Sequence, residues 1–518
     1  MIGKFHLPIS TGGSEPDYPV ALAIACPAAG YILINHDFVP PEGIVIPEST
    51  PQSIVFICNS SFGNWTSPTF TKGGTSSNYR YQFYDLSGNL LYSQDSSSAN
   101  VSYTFPSVGY FIVKVSLVTS GGYFLSMVST YSDYSFIIEK ITFNTPNVTS
   151  LANCCKYMSG LRAVEFNCTL DVLTTFANAF QYAGLYNFVF KDSYPALTSV
   201  AYMFSTTEAL ERVEFPVNCN LPALTSLSYF INLSNVYTLL LPSATPVLTN
   251  MSNMCQDSKN LSTIRHISDA PLLVSSSYAF SGVNLRGEQT LKIYSPTVYN
   301  AAADGTYMYH NLLNITKITL VGPSNPTTIN FQNLFYLCRL VQDITFPSSF
   351  GTSGSPNLGS AANVIKKVKT PDLLLPNSSG DVVFYAPDGT LLEEVTGDMD
   401  NTGLSKSTPA YYQSKNSLRI FNCPKLRCSA IRFGYSNTDV MSKLEVLEVD
   451  WVNSSWDTTI GALAYNLQIT ANVSAAWLNS LMTKLPTVTG TKTLYIKYCT
   501  GFATCDKSIA TNKGWTVI

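Results

Sequence analysis

Cleaving a glycosidic bond takes two carboxyl groups set across a cleft, one to protonate the leaving oxygen and one to attack or to activate water. In this chain the densest acidic run, Glu393, Glu394, Asp398 and Asp400, is the one stretch that could supply them. It follows the turn signal Pro387-Asp388-Gly389, so the carboxylates read as a solvated turn rather than a catalytic pair. The segment Asp398-Met399-Asp400-Asn401-Thr402-Gly403 faintly resembles a calcium loop but lacks the alternating ligand spacing and the closing Glu. His6, His36, His266 and His310 are scattered and read as having no partner at ligand spacing. The 12 cysteines include no Cys-x-x-Cys, and they read as small buried hydrophobes in the reduced state, the vicinal Cys154-Cys155 included. Nucleophile-elbow, zinc-helix and phosphate-loop motifs are missing. No catalytic, cofactor or metal residue is expected, and the chain is expected not to be an enzyme.

What remains for function is surface, and the elements that present it are repeated. Aligning on Pro146, Asp171, Pro195, Pro222, Pro246, Pro271, Pro296 and Pro326 gives successive spacings of about 24 to 30 residues, the length of one solenoid coil. Two residues on stands an aliphatic side chain (Val148, Leu173, Leu197, Leu224, Leu248, Leu273), often followed by Thr. Nine residues on stands a plug residue: Cys155, Phe180, Phe204, Ile231, Cys255, Phe280 and Phe335. Each coil closes with a strand of the form Leu-x-x-Val-x-Phe, as in Leu161/Val164/Phe166 and Leu210/Val213/Phe215. One coil cannot bury such a face, so neighbours must stack. The intervening strand residues then point outward and line the concave face: Arg162, Glu165, Tyr186, Glu211, Glu214, Tyr237, Arg265 and Lys317. Tyrosines flanked by charge suit glycan or protein recognition, because a ring offers contact area at small entropic cost. The Asn-x-Ser/Thr triplets at Asn147 and Asn250 belong to the repeat and imply no glycosylation.

Upstream, the period changes to two. Ser53-Ile54-Val55-Phe56-Ile57 and Tyr79-Arg80-Tyr81-Gln82-Phe83-Tyr84, with a turn at 85–89, predict short antiparallel strands of a sandwich. Downstream, Ser474 caps an amphipathic helix over 474–482, a strand follows at 493–497, and residues 508–518 make a lid for the solenoid end. The fold class is therefore mainly β. It comprises an N-terminal arm or docking segment (1–45), a sandwich (46–140), a solenoid (141–370), an insertion (371–415), and C-terminal repeats with a cap (416–518).

Composition narrows the partners. The chain is 45% hydrophobic but only 12% charged, with a net charge of −3; the charged share is about half the usual one. No basic field exists for nucleic acid. Residues 19–34 are apolar but too short and too broken by Pro and Gly to span a membrane, so no membrane insertion is expected. Glu15 and Asp17 stand where a signal peptide needs positive charge, and Ala23-Ile24-Ala25-Cys26 is a poor lipobox. A chain starting at Met1 without these features is expected to keep its N-terminus.

The segment from Val101 to Val115, an aromatic strand, a Gly turn and an alternating strand, resembles the end of PKD-like immunoglobulin-fold domains. It departs from them where Gln82-Phe83-Tyr84-Asp85 replaces the usual upstream element. Units such as Pro246-Val247-Leu248-Thr249-Asn250-Met251 resemble the BspA-like leucine-rich-repeat family over about 146–346, with the coils at 296 and 326 degenerate. The last eleven residues look like the terminal unit of repeat proteins from gut Bacteroidales and their crAss-like phages. These resemblances imply a Bacteroidales surface protein or a tail or head fibre on a phage virion. The virion reading is the leading expectation, because the repeats come without an export signal and the cysteines look reduced. It implies docking to other virion proteins through the N-terminal region, host glycan or protein binding through the solenoid, and a homo-oligomer, with trimers common in such proteins. A secreted or lipidated cell-surface adhesin is the alternative, and a carbohydrate-active enzyme the third reading.

Overall fold

The computed structural model describes residues 44–45, 52–74, 78–98, 101–119, 121–129, 137–267, 270–292 and 466–518, with short stretches between 308 and 454. The arm before residue 44, the lipobox and His6 and His36 lie outside the described residues. So do the plug Phe335, the turn at 387–389 and the calcium-like run 398–403.

The chain is mainly β: an N-terminal sandwich leads into a parallel β-solenoid. The sandwich holds β1 (Ser53–Asn59), β2 (Trp65–Thr66), β3 (Thr69–Gly74), β4 (Tyr79–Tyr84), β5 (Leu90–Ser96), β6 (Ser102–Tyr103), β7 (Tyr110–Leu117), β8 (Gly122–Val128) and β9 (Ile138–Asn144). One sheet runs β9-β1-β7-β4-β5, all antiparallel, with the short pairs β3-β8 and β2-β6 beside it. Alternation puts Tyr79, Tyr81 and Phe83 inward on β4, around the fully buried Trp65, whose ring meets Phe56, Tyr81 and Phe83 edge-on.

The strands of the solenoid are β10 (Ala163–Phe166), β11 (Asn187–Val189), β12 (Arg212–Glu214), β13 (Thr238–Leu240), β14 (Thr263–Arg265), β15 (Arg286–Lys292), β16 (Asn314–Val321), β17 (Thr328–Ile329), β18 (Asp343–Thr345), β19 (Phe350–Thr352), β20 (Lys367–Lys369), β21 (Leu373–Leu374), β22 (Glu394–Thr396), β23 (Ala410–Tyr411), β24 (Ile420–Asn422), β25 (Ile431–Phe433), β26 (Val446–Glu448), β27 (Leu467–Ile469), β28 (Lys492–Tyr495) and β29 (Trp515–Val517). The main ladder runs in parallel through β11-β12-β13-β14 and then β15-β16-β18-β20-β22-β24-β26. A second ladder reads β23-β25-β27-β28-β29. Within 371–415, where an insertion was expected, β22 is a rung of the main ladder, paired in register with β20 and β24. Glu394 is thus part of a coil.

Inside, the repeat residues do what their types require. Leu161, Leu185, Leu210, Val236 and Leu261 are fully buried, as are the described plug residues Cys155, Phe180, Phe204, Ile231, Cys255 and Phe280. Ser474 accepts from Trp477 N–H at 3.2 Å and caps α1 (Ala475–Lys484), which with α2 (Ser508–Thr511) closes the end of the core.

Between sandwich and solenoid there is no break. β10 pairs in parallel with β9, and Ser126 on β8 begins a file of parallel bridges through Ser150, Thr175, Ser199, Ser226, Asn250 and Ser275. The bridge file therefore runs on into the solenoid, while the sandwich sheet extends to β10 and a new sheet begins at β11; one apolar cluster runs from Ile54 to Trp515.

Candidate functional site

Three-residue parallel rungs put their middle side chain in and the flanking two out. Phe188, Val213 and Leu239 are buried, while Asn187, Arg212 and Thr238 form one outward row and Val189, Glu214, Leu240 and Arg265 another. One residue before each rung, Tyr186, Glu211 and Tyr237 make a third row, joined by Glu211 N–H to Tyr186 O (2.7 Å) and Tyr237 N–H to Glu211 O (2.8 Å). This ladder face is the extended surface the coils build in common.

The eight residues expected to line it divide by occupation. Tyr237 is 44% exposed, and Arg162 lies over the Tyr186 ring at 5.2 Å while donating to Gly184 O at 3.1 Å. Glu165 takes Lys140 at 2.8 Å, Glu214 takes Arg212 on its own strand at 2.5 Å, and Lys317 takes Glu288 at 2.9 Å. Arg265 is turned along the ladder, donating from Nε to Leu241 O at 2.8 Å and from its other nitrogen to Phe215 O. Arg162, Arg265 and Lys317 thus reach neighbouring coils, Glu165 the sandwich and Glu214 its own strand, and the open contact area around them comes from Tyr237, Val189 (61% exposed) and the edge of Tyr186.

The acid/base candidates take a different place. Glu394 receives Lys367 at 3.4 Å and Arg419 at 2.6 Å, and Arg419 also reaches Glu445 at 2.7 Å. Both carboxylate oxygens of Glu394 are thus taken up by ion pairs to cations on the adjacent rungs. Glu393 stands beside it on the same rung, its backbone N–H on Lys366 O at 2.7 Å; Asp398 and Asp400 lie outside the described residues. Among the described residues no group of three or more His, Cys, Asp or Glu could hold a metal ion, and no helix is long and apolar enough to cross a membrane.

One constellation escaped the sequence reading, since its members are 24 and 29 residues apart. His310 Nδ1 and Ser281 Oγ lie at 3.0 Å, with Asp257 close enough to act on the imidazole and Tyr278 edge-on at 5.9 Å. Burial lowers the His310 pKa, with Asp257 opposing. Ser, His and Asp in mutual reach would suggest a nucleophile, but Ser281 is 4% exposed, which keeps its hydroxyl from a polymeric substrate. Numbering residues within coils would have revealed this cluster, because all three fall near one turn.

The described cysteines are buried or half-buried. Cys168, Cys219, Cys338 and Cys499 donate S–H to Phe143 O (3.6 Å), Lys191 O (3.2 Å), Tyr309 O (3.0 Å) and Ile469 O (3.2 Å), each one coil back. Burial pushes the Cys219 and Cys338 thiols up to about 12 and raises Cys58, Cys155 and Cys255 well above the ordinary value. Such thiols are neutral and inert. Set against family models, curated proteins and solved structures, the chain matches none.

Proposed function

We propose that this chain is a non-enzymatic attachment protein of a bacteriophage virion, a tail or head fibre whose solenoid meets the host surface. The observation that carries the reading is the ladder face: an in-register surface built from successive coils, with Tyr186, Val189 and Tyr237 presented beside charged side chains mostly held in ion pairs and hydrogen bonds of their own. That is the arrangement of a recognition scaffold, on which area and shape rather than a reactive group do the binding. The BspA-like leucine-rich-repeat and PKD-like resemblances support the same class.

The thiols support assembly inside a cell over export. Buried thiols whose S–H donates to a carbonyl one coil away suit a protein folded in a reducing cytosol and released with the particle. In this reading the N-terminal region docks to other virion proteins and the chain works as a homo-oligomer.

Gold-labelled antibody against the purified chain, applied to particles and cell envelopes from a producing culture, tests it. Label on particle fibres or capsids is the expected result. Label on envelopes, with an acylated Cys26, replaces it with the cell-surface adhesin. Glycan cleavage lost on Glu393→Gln with Glu394→Gln would instead establish an enzyme.

A further inference from the structure

In the C-terminal half the main ladder carries charge in a fixed order. Glu288, Lys317, Asp343, Lys367 and Glu394 occupy register-paired positions on β15, β16, β18, β20 and β22. One residue earlier on successive coils stand Lys366, Glu393, Arg419 and Glu445, tied by backbone N–H groups of Glu393, Arg419 and Glu445 donating to the carbonyls of Lys366, Glu393 and Arg419. In both rows every charge has its opposite as neighbour. Ion pairs close within the rows (Lys317–Glu288, 2.9 Å; Lys367–Glu394, 3.4 Å; Arg419–Glu445, 2.7 Å) and between them (Arg419–Glu394, 2.6 Å). The matching row on β11 to β14 has no such order: Asn187, Arg212, Thr238, Thr263.

Repeats have a specific weakness. Coils with interchangeable cores can stack in the wrong order, and a three-residue rung gives little apolar pattern to prevent it. Omitting one coil from the stack would set Glu288 on Asp343, Lys317 on Lys367, Asp343 on Glu394, Lys366 on Arg419 and Glu393 on Glu445, like on like in each case. Like charges directly opposite on neighbouring strands destabilise and opposite ones stabilise, each by a small amount. A single exposed ion pair decides nothing at that size, but the same sign of preference repeated on every rung does.

We propose that the two alternating rows are a register code that fixes coil order in the C-terminal half of the solenoid. Its strength is electrostatic, so it weakens in salt, whereas the N-terminal coils, aligned by apolar plugs, do not share that dependence.

Hydrogen–deuterium exchange of the full-length protein, read by mass spectrometry, tests the proposal, with β11 to β14 as the internal reference for a folded chain. Lys367→Glu places three carboxylates in succession and is expected to speed exchange on β18, β20 and β22 by about tenfold, with Lys367→Gln intermediate. Raising salt to about 1 M should speed the same rungs in the parent and leave β11 to β14 within about twofold. Reversing all nine charges together keeps the alternation and should restore parental exchange. The proposal is overturned if Lys367→Glu leaves these rungs within about twofold of the parent. It is equally overturned if salt acts alike on both halves, or if the nine-fold reversal exchanges as fast as Lys367→Glu.

Discussion

At the plug position a thiol, a phenyl ring and a branched alkane do the same work: Cys155, Phe180, Phe204, Ile231 and Cys255 are all fully buried. Cys255 therefore counts as an apolar residue. Cys255→Val should shift stability by under about 1.5 kcal/mol. Cys255→Ser, which buries a hydroxyl in its place, should cost about 1–3 kcal/mol; urea midpoints of the two variants distinguish them. For His310 burial outweighs the neighbouring Asp257. Burial lowers its folded pKa below the ordinary 6.5, so the unfolded chain binds the proton more readily. Its contribution is complete above pH 6.5 and is lost as pH falls through the lowered folded value. The thermal midpoint of the parent should drop on acidification through that window more than that of His310→Gln, and equal slopes would show that His310 is not the group responsible.

On either side of the buried plug, five successive coils turn on two left-handed residues four apart. Asn153 and Tyr157, Asn178 and Tyr182, Tyr202 and Thr206, Tyr229 and Leu233, and Asn253 and Asp257 all have φ between 54° and 67°. Their N–H groups bond the next coil, as from Tyr157 to Gln181 O at 2.9 Å and from Leu233 to Gln256 O at 2.9 Å, so strain in each coil is held by its neighbour. The tyrosines offset some of the cost by stacking along the axis, Tyr157 on Tyr182 at 5.1 Å and Tyr202 on Tyr229 at 4.4 Å. Leu233 has no such stack and is 53% exposed at φ 55°. Leu233→Asn, a residue that tolerates this region, should raise stability by roughly 0.5–1 kcal/mol in chemical denaturation. Gly184 poses the opposite constraint: a Cβ there would meet the carbonyl oxygen of Ser159 in the preceding coil. Gly184→Ala should cost about 1–3 kcal/mol by prising two coils apart.

Across the molecule, the sandwich serves as the lid that the first coil needs. β9 covers the edge of β10, and β8 starts the bridge file. Without them the chain would present two bare parallel edges and an open apolar end. A chain starting at residue 141 should therefore be recovered as aggregate, whereas the full-length protein elutes as a discrete species on size exclusion. A soluble truncated monomer would show that the solenoid caps itself. The shared strand pairing and the common apolar core make sandwich and first coils one packed unit.

The sequence by itself determined the class of fold and most of the interior. A repeat length, an aliphatic two residues on and a plug nine residues on dictate stacked coils, because those side chains have no other way out of water. The period-two run determined the sandwich, and Ser474 the start of the last long helix. The candidate face was legible only as a set of outward positions. Whether Arg265 reaches a ligand or lies along Leu241 O, and whether Glu394 is free or held by Lys367 and Arg419, depends on the residue one coil away. Such pairs are about 25 residues apart, and their neighbourhood exists only once the register of the ladder is set. The same holds for Ser281 with His310, for the alternating charge rows, and for Glu394, which lies on a rung. Local pattern acts within a coil; the contacts that give a surface its chemistry act between coils, and only tertiary structure brings those together.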